Sequence, residues 1–236
     1  MQPVTMLWQP AIVGGLFLAG QLLTFLAVAR GDVSVAAPVL GVKVLIVPAA
    51  SWLFFGEELS ARVWIAAAIA MIGIAFVQSR DVTVHRSRIV ASVGFAFLAA
   101  CSMTAFDLLI QRWAPIWGAG YLLPITFASA AILALAFLPL ADRPAELKRM
   151  HVIPLLAVGA LFMSIQAIGM TVTLGLFGDA TRVNIVYSLR GLWGVLLTWL
   201  LARHVTATTP GPSHRTMVMR LIGAILIAVS VVIAVT

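Results

Sequence analysis

The 236-residue chain is 62% hydrophobic and 10% charged with a formal net charge of +7, and its mean hydropathy is +1.10. This excludes an ordinary soluble domain, in which about half of the residues are apolar and about a quarter are charged. The excess of Lys and Arg is not read as nucleic-acid binding, because membrane proteins gather these residues in loops that meet anionic lipid heads.

Apolar runs of about 20 residues predict membrane-spanning helices, and they lack the strict alternation of a β-barrel strand. In chain order eight spans are predicted, at roughly 9–29, 33–56, 62–79, 88–111, 118–140, 152–175, 180–202 and 217–236. The expected fold is all-α and transmembrane. The opening "MQPVTMLWQP" lacks the basic, apolar and cleavage regions of a signal peptide, so the first span is expected to serve as the insertion signal. The connections are short and punctuated by "ARGD", "GEELSAR", "SRDVTVHRSR", "ADRPAELKRMH" and "TATTPGPSHR". The connections after spans 1, 3, 5 and 7 carry ten basic residues, among them Arg80, Arg86, Arg88 and Arg143, whereas the other side carries three, Arg62, Arg112 and Arg182. The positive-inside rule makes the first side cytoplasmic and places both termini outside.

The one cysteine, Cys101, lies in an apolar run, and His85, His151, His204 and His214 all fall in loops or at helix ends. This predicts neither a disulfide nor a metal site, and no cofactor. No Gly-rich phosphate loop is present either.

An internal repeat emerges when residues 31–55 are laid on 178–202, an offset of 147. "GDVSVAAPVLGVKVLIVPAASWLFF" then meets "GDATRVNIVYSLRGLWGVLLTWLLA", with six of 25 positions identical and Lys43 aligned with Arg190. The flanking helices pair as well: 9–29 with 152–175, and 62–79 with 217–236 after a ten-residue insertion. The paired segments are the second and seventh spans, so the copies are expected to cross the membrane in opposite directions. Residues 1–81 would form a first copy of three helices and 82–236 a second copy of five. Inverted repeats of this kind build secondary transporters, with the substrate site at the repeat interface near the bilayer midplane.

Lys43 and Arg190 fall near the middle of their spans. A cation there costs about 2.5–3.5 kcal/mol on insertion scales, so each is expected to face the protein interior or a wet cavity. Around Arg190, Tyr187 and Trp193 stand three residues to either side, and Asn184 stands three before Tyr187. Such a face suits a flat or anionic solute, with the planar guanidinium matched to carboxylate or phosphate. Gln21 and Gln166, one in each copy, are candidate lining residues. Asp107, the acid well inside a span, would balance a cation or carry a coupling proton. Pairing of these charges as structural glue is the competing reading. Asp32 and Asp179 are expected to cap the helices that follow them. The Ala66, Ala70 and Gly73 stripe is expected to pack. Pro38 and Pro48 are expected to kink the second span around Lys43, and Trp52 and Trp199 to anchor at the membrane interface.

The segment "SWLFFGEELSARVWIAAAIAMIGIAF", with Gly56 and Glu57 closing one helix and Trp64 early in the next, resembles the EamA type of the drug/metabolite transporter superfamily. The second copy departs from it, with "ARHV" in place of Gly-Glu. The resemblance implies ten helices in two inverted five-helix repeats, of which this chain would hold the third to the tenth. It also implies export or exchange of small metabolites or drugs, and cytoplasmic termini, against the charge count. The resulting expectation is a non-enzymatic secondary transporter in a bacterial cytoplasmic membrane, working by alternating access on a small anionic or zwitterionic solute. A homodimer is compatible with it. The alternative is a truncated or accessory membrane subunit without transport of its own.

Overall fold

The computed structural model describes residues 3–31, 33–78, 86–140, 148–205 and 214–236, with backbone alone at 33–34, 86–88, 195, 198–199, 201–205 and 214. The expected cap at Asp32, the anchor side chain of Trp199 and the loop residues Arg80, His85 and Arg143 lie outside what is described.

The described residues form ten α-helices. They are α1 (Trp8–Ala29), α2 (Val33–Gly41), α3 (Lys43–Phe55), α4 (Ala61–Val77), α5 (Arg86–Trp117), α6 (Ala119–Ala134), α7 (Ile153–Phe177), α8 (Ala180–Tyr187), α9 (Arg190–Val205) and α10 (His214–Val235). A 3₁₀ stretch, Leu135–Leu140, prolongs α6. Six helical segments among these residues are long and apolar enough to cross a bilayer, and α4 is a shorter apolar helix. The protein is an integral membrane protein, all-helical among the described residues.

Two of the expected spans are interrupted: 33–56, still one of the six long apolar segments, divides close to the kink expected around Lys43, and 180–202 also divides into two helices. The first divides at Val42, whose N–H donates three residues back to the Val39 carbonyl at 3.1 Å. The second divides at Ser188 and Leu189, where Ser188 N–H is shared between the Asn184 and Ile185 carbonyls at 3.2 and 3.1 Å. Both interruptions are tight 3₁₀ turns rather than open loops. The Ser188 hydroxyl donates to the Ile185 carbonyl at 2.6 Å, competing with the helical ladder. Gly41, before the first break, lies so close to Ile74 that any side chain there would collide with it. Pro38 and Pro48 stand on either side of that break, and each withholds a backbone donor.

Two compact units are present, one formed by 1–18 and 109–178, the other by 19–108 and 179–236. In the first, Trp117 Nε1–H donates to Gln9 Oε1 at 2.7 Å. Trp8 meets Trp113 edge-on at 5.6 Å between ring centroids, and Phe17 meets Phe127 in the same way at 5.4 Å. Gly14 lets α1 approach α6, since a Cβ there would stand 2.5 Å from the Thr126 carbonyl.

The second unit is organised around α4 and α10. The Ala66, Ala70 and Gly73 face of α4 is buried and packs with Val44, Ile185 and Ile227. The two backbones approach closely where Gly73 meets Gly223: a Cβ on Gly223 would lie 2.6 Å from the Gly73 carbonyl, and one on Gly73 would lie 2.9 Å from the Gly223 carbonyl. Small residues permit this backbone approach where lipid offers no hydrophobic drive of its own. Gly56 closes α3 with φ +65°, a conformation that favours glycine. The Ser51 hydroxyl then donates to the Glu57 carboxylate, which folds back over the helix end. Asp179 caps α8 by accepting Arg182 N–H at 2.9 Å, and Arg182 Nε–H donates to the Ala234 carbonyl at the end of α10.

Candidate functional site

Lys43 is the first residue of α3 and Arg190 the first residue of α9. Their helices follow breaks at equivalent positions, and α2 and α8 begin at Val33 and Ala180, again 147 residues apart. The repeat seen in the residues thus coincides with a shared break, each placed just ahead of a cation.

Within the second unit both cations border one cavity of about 70 Å³. Its polar lining is Lys43, Gln78, Asn184, Tyr187, Ser188 and Arg190, and its apolar wall includes Leu40, Ile74 and Ile227. Lys43 Nζ stands 2.6 Å from Asp107 Oδ2, and the Asp107 side chain is 1% exposed. The same carboxylate oxygen accepts Asn184 Nδ2–H at 2.7 Å. Asn184 also donates to the Ala180 carbonyl at 2.8 Å, which fixes the amide. Asp107 is therefore held from two elements, behind the lining rather than in it. A buried carboxylate is tolerable in this setting because it is paired and hydrogen-bonded.

Arg190 is arranged differently. Its guanidinium lies over the Tyr187 ring, 4.5 Å from the centroid, while NH1 donates to the Tyr187 hydroxyl at 2.7 Å. These partners are neutral, so they orient the fork without cancelling its charge. Arg190 is also exposed, whereas Lys43 is mostly buried.

Of the residues singled out in the sequence, Lys43, Asn184, Tyr187 and Arg190 line this cavity, with Asp107 bound to two of them. Three do not. Trp193 is 59% exposed and outside the lining. Gln21 is half-buried on α1 away from it, and Gln166 is exposed on α7 in the other compact unit. Ser188 and Gln78 line the cavity without having been foreseen. Ser188 falls opposite Gly41 in the repeat, two residues ahead of the cation, and that register was the available signal.

Residues 2–79 match the model of the EamA-like transporter family. Over these residues the chain is similar to that family. The Gly56–Glu57 pair and the small face of α4 lie inside this EamA-like segment, where they end one helix and pack the next. Among solved structures 26 chains match. One of them, described only as the crystal structure of a protein, aligns over 99% of this chain and 76% of its own, with a TM-score of 0.64 and 20% identity. At that identity the likeness shows the fold. No curated protein matches the chain.

Proposed function

We propose that this EamA-like protein is a secondary transporter that moves a small organic solute by alternating access. The solute would be held between the two half-helix starts that carry Lys43 and Arg190, each contributed by one of two inverted copies, 1–81 and 82–236. The observation that carries this reading is the cavity itself, bordered by both cations at equivalent points of a repeated broken helix. Broken helices at a repeat interface are where secondary transporters place their substrates. A structural ion pair explains Lys43 and Asp107 but leaves Arg190, exposed and held by a tyrosine, without a task. The cavity is also small, since solute pockets usually enclose roughly 300–1,000 Å³. A transporter that closes around its site and reopens would pass through such a contracted state.

The test is flux into proteoliposomes holding the purified chain, screened with labelled organic acids, amino acids and sugar phosphates. A solute accumulated or exchanged by the wild type should move at least tenfold more slowly with Arg190→Ala, and more slowly with Lys43→Ala. Wild-type rates in both variants would reject the cavity as the transport site.

A further inference from the structure

Resting on that transport reading, the question is which solute the site accepts. Its charges are unequal in their freedom. Lys43 already holds an anion, the Asp107 carboxylate 2.6 Å away. That carboxylate cannot swing aside easily, because its Oδ2 also accepts from Asn184, whose amide is tied to the Ala180 carbonyl. Arg190 has the Tyr187 ring and hydroxyl as its described partners, and both are neutral. Among the described residues that border the cavity or bond to its lining, two cations and one fixed carboxylate leave one unit of positive charge, and that unit resides on Arg190.

We infer that Asp107 sets the charge of this site, so that it takes a monoanion, a solute with one carboxylate, on Arg190 and turns away a dianion. A single carboxylate can meet the guanidinium fork through two parallel hydrogen bonds. A second negative charge on the solute would find Lys43 occupied and the Asp107 carboxylate nearby. Specificity of this sort comes from an unpaired charge in the wrong complex as much as from contacts in the right one. The residual lining of amides and hydroxyls from Asn184, Gln78 and Ser188 suits a polar, uncharged remainder of the solute. Asp107 is then a specificity-determining residue although it does not line the cavity.

The experiment measures binding of lactate and malonate to the full chain in detergent, at fixed pH and ionic strength, from the ligand-dependent rise of the unfolding midpoint. The wild type should bind lactate at least tenfold more tightly than malonate. Asp107→Asn frees Lys43 and should reverse that order, with malonate at least tenfold tighter. The double variant Lys43→Met/Asp107→Asn again carries one net positive charge and should prefer lactate. Arg190→Gln should lose lactate binding. Equal binding of the two acids by the wild type, no binding of lactate, or an unchanged order in Asp107→Asn would overturn the inference. Should Asp107→Asn fail to fold, the double variant decides, since it leaves no unpaired buried charge, and loss of its lactate preference would equally overturn it. Flux of another solute that depends on Arg190 while lactate fails to bind would sink this inference and leave the transport reading standing. The predicted order of binding without any flux would do the opposite.

Discussion

The Lys43–Asp107 pair gives the sharpest prediction, because its two ends sit in different surroundings. Lys43 is 16% exposed at the cavity, whereas Asp107 is 1% exposed. Removing one partner of a buried pair costs about 3–5 kcal/mol, mostly through the charge left behind. Lys43→Met strands the Asp107 carboxylate with Asn184 as its remaining described donor, a charged hydrogen bond contributing about 1.5–3 kcal/mol. That loss should fall at the upper end of the range. Asp107→Asn strands Lys43, but the ammonium can turn into the cavity and find water, so its loss should fall at or below the lower end. Lys43→Met/Asp107→Asn strands no charge and should lie within about 1 kcal/mol of the wild type. The cycle therefore has a coupling of at least about 3 kcal/mol, and Lys43→Met should be the least stable of the three. At about 2–4 °C per kcal/mol for a chain of this size, Lys43→Met should lower the unfolding midpoint in detergent by roughly 10 °C or more. Losses that simply add in the double variant, or a larger loss for Asp107→Asn than for Lys43→Met, would refute the assignment of burial and pairing.

Other consequences can be measured in the same preparations. Gly223→Ala should destabilise by about 1–3 kcal/mol through overpacking against α4, whereas Gly94→Ala, where a Cβ meets open space, should be neutral or stabilising by up to about 1 kcal/mol; thermal unfolding compares them. Gly178→Ala, at φ +62° after α7, should cost about 1–2 kcal/mol by the same readout. Asp179→Ala should cost about 1 kcal/mol by uncapping α8, with Asp179→Asn retaining most of the stability. Tyr187→Phe removes the hydroxyl that accepts from Arg190 but keeps the ring, so the KM of flux should rise by up to about tenfold with expression and unfolding midpoint little changed.

The membrane makes part of this architecture legible from residues alone. A backbone crossing hydrocarbon must satisfy its polar groups internally, so long apolar runs commit to helix. The helix breaks were unequally visible. Pro38 and Pro48 predict a kink around Lys43, and α2 gives way to α3 between them at Val42. The break at Ser188 and Leu189 is a single 3₁₀ turn that changes few hydrogen bonds and carries no proline signal. Trp193 shows the limit of reasoning by spacing. At about 100° per residue, positions three before and three after Arg190 lie about 60° to either side of it. Both look like neighbours of the guanidinium, yet Tyr187 turns to the cavity and Trp193 turns outward. Spacing names the pair and packing chooses between them. Gln21 and Gln166 fail to reach the cavity for a related reason: equivalence in a repeat pairs positions without saying which way their side chains face.

The 147-residue register sets a cation at the start of both α3 and α9, yet the two cations behave differently. At Lys43 the surroundings supply a carboxylate from α5, itself held by an amide from α8. At Arg190 they supply a tyrosine one turn earlier in the chain. With one cation neutralised and the other merely oriented, the charge is distributed unevenly along a single cavity. If symmetry alone placed these cations, each would have the same kind of partner. The partners are instead unequal, although both positions are cationic. That combination is expected when the cations do separate work, Lys43 fixing α3 to α5 and Arg190 meeting the solute. Exchanging them, with Lys43→Arg and Arg190→Lys in one chain, tests this directly. An ammonium at position 190 loses the planar fork and its stacking on Tyr187, so flux should fall at least tenfold, while the longer guanidinium at 43 can still reach Asp107 and should keep the protein folded. Wild-type flux from the exchanged chain would mean that charge alone matters at both positions and that the division of labour is wrong.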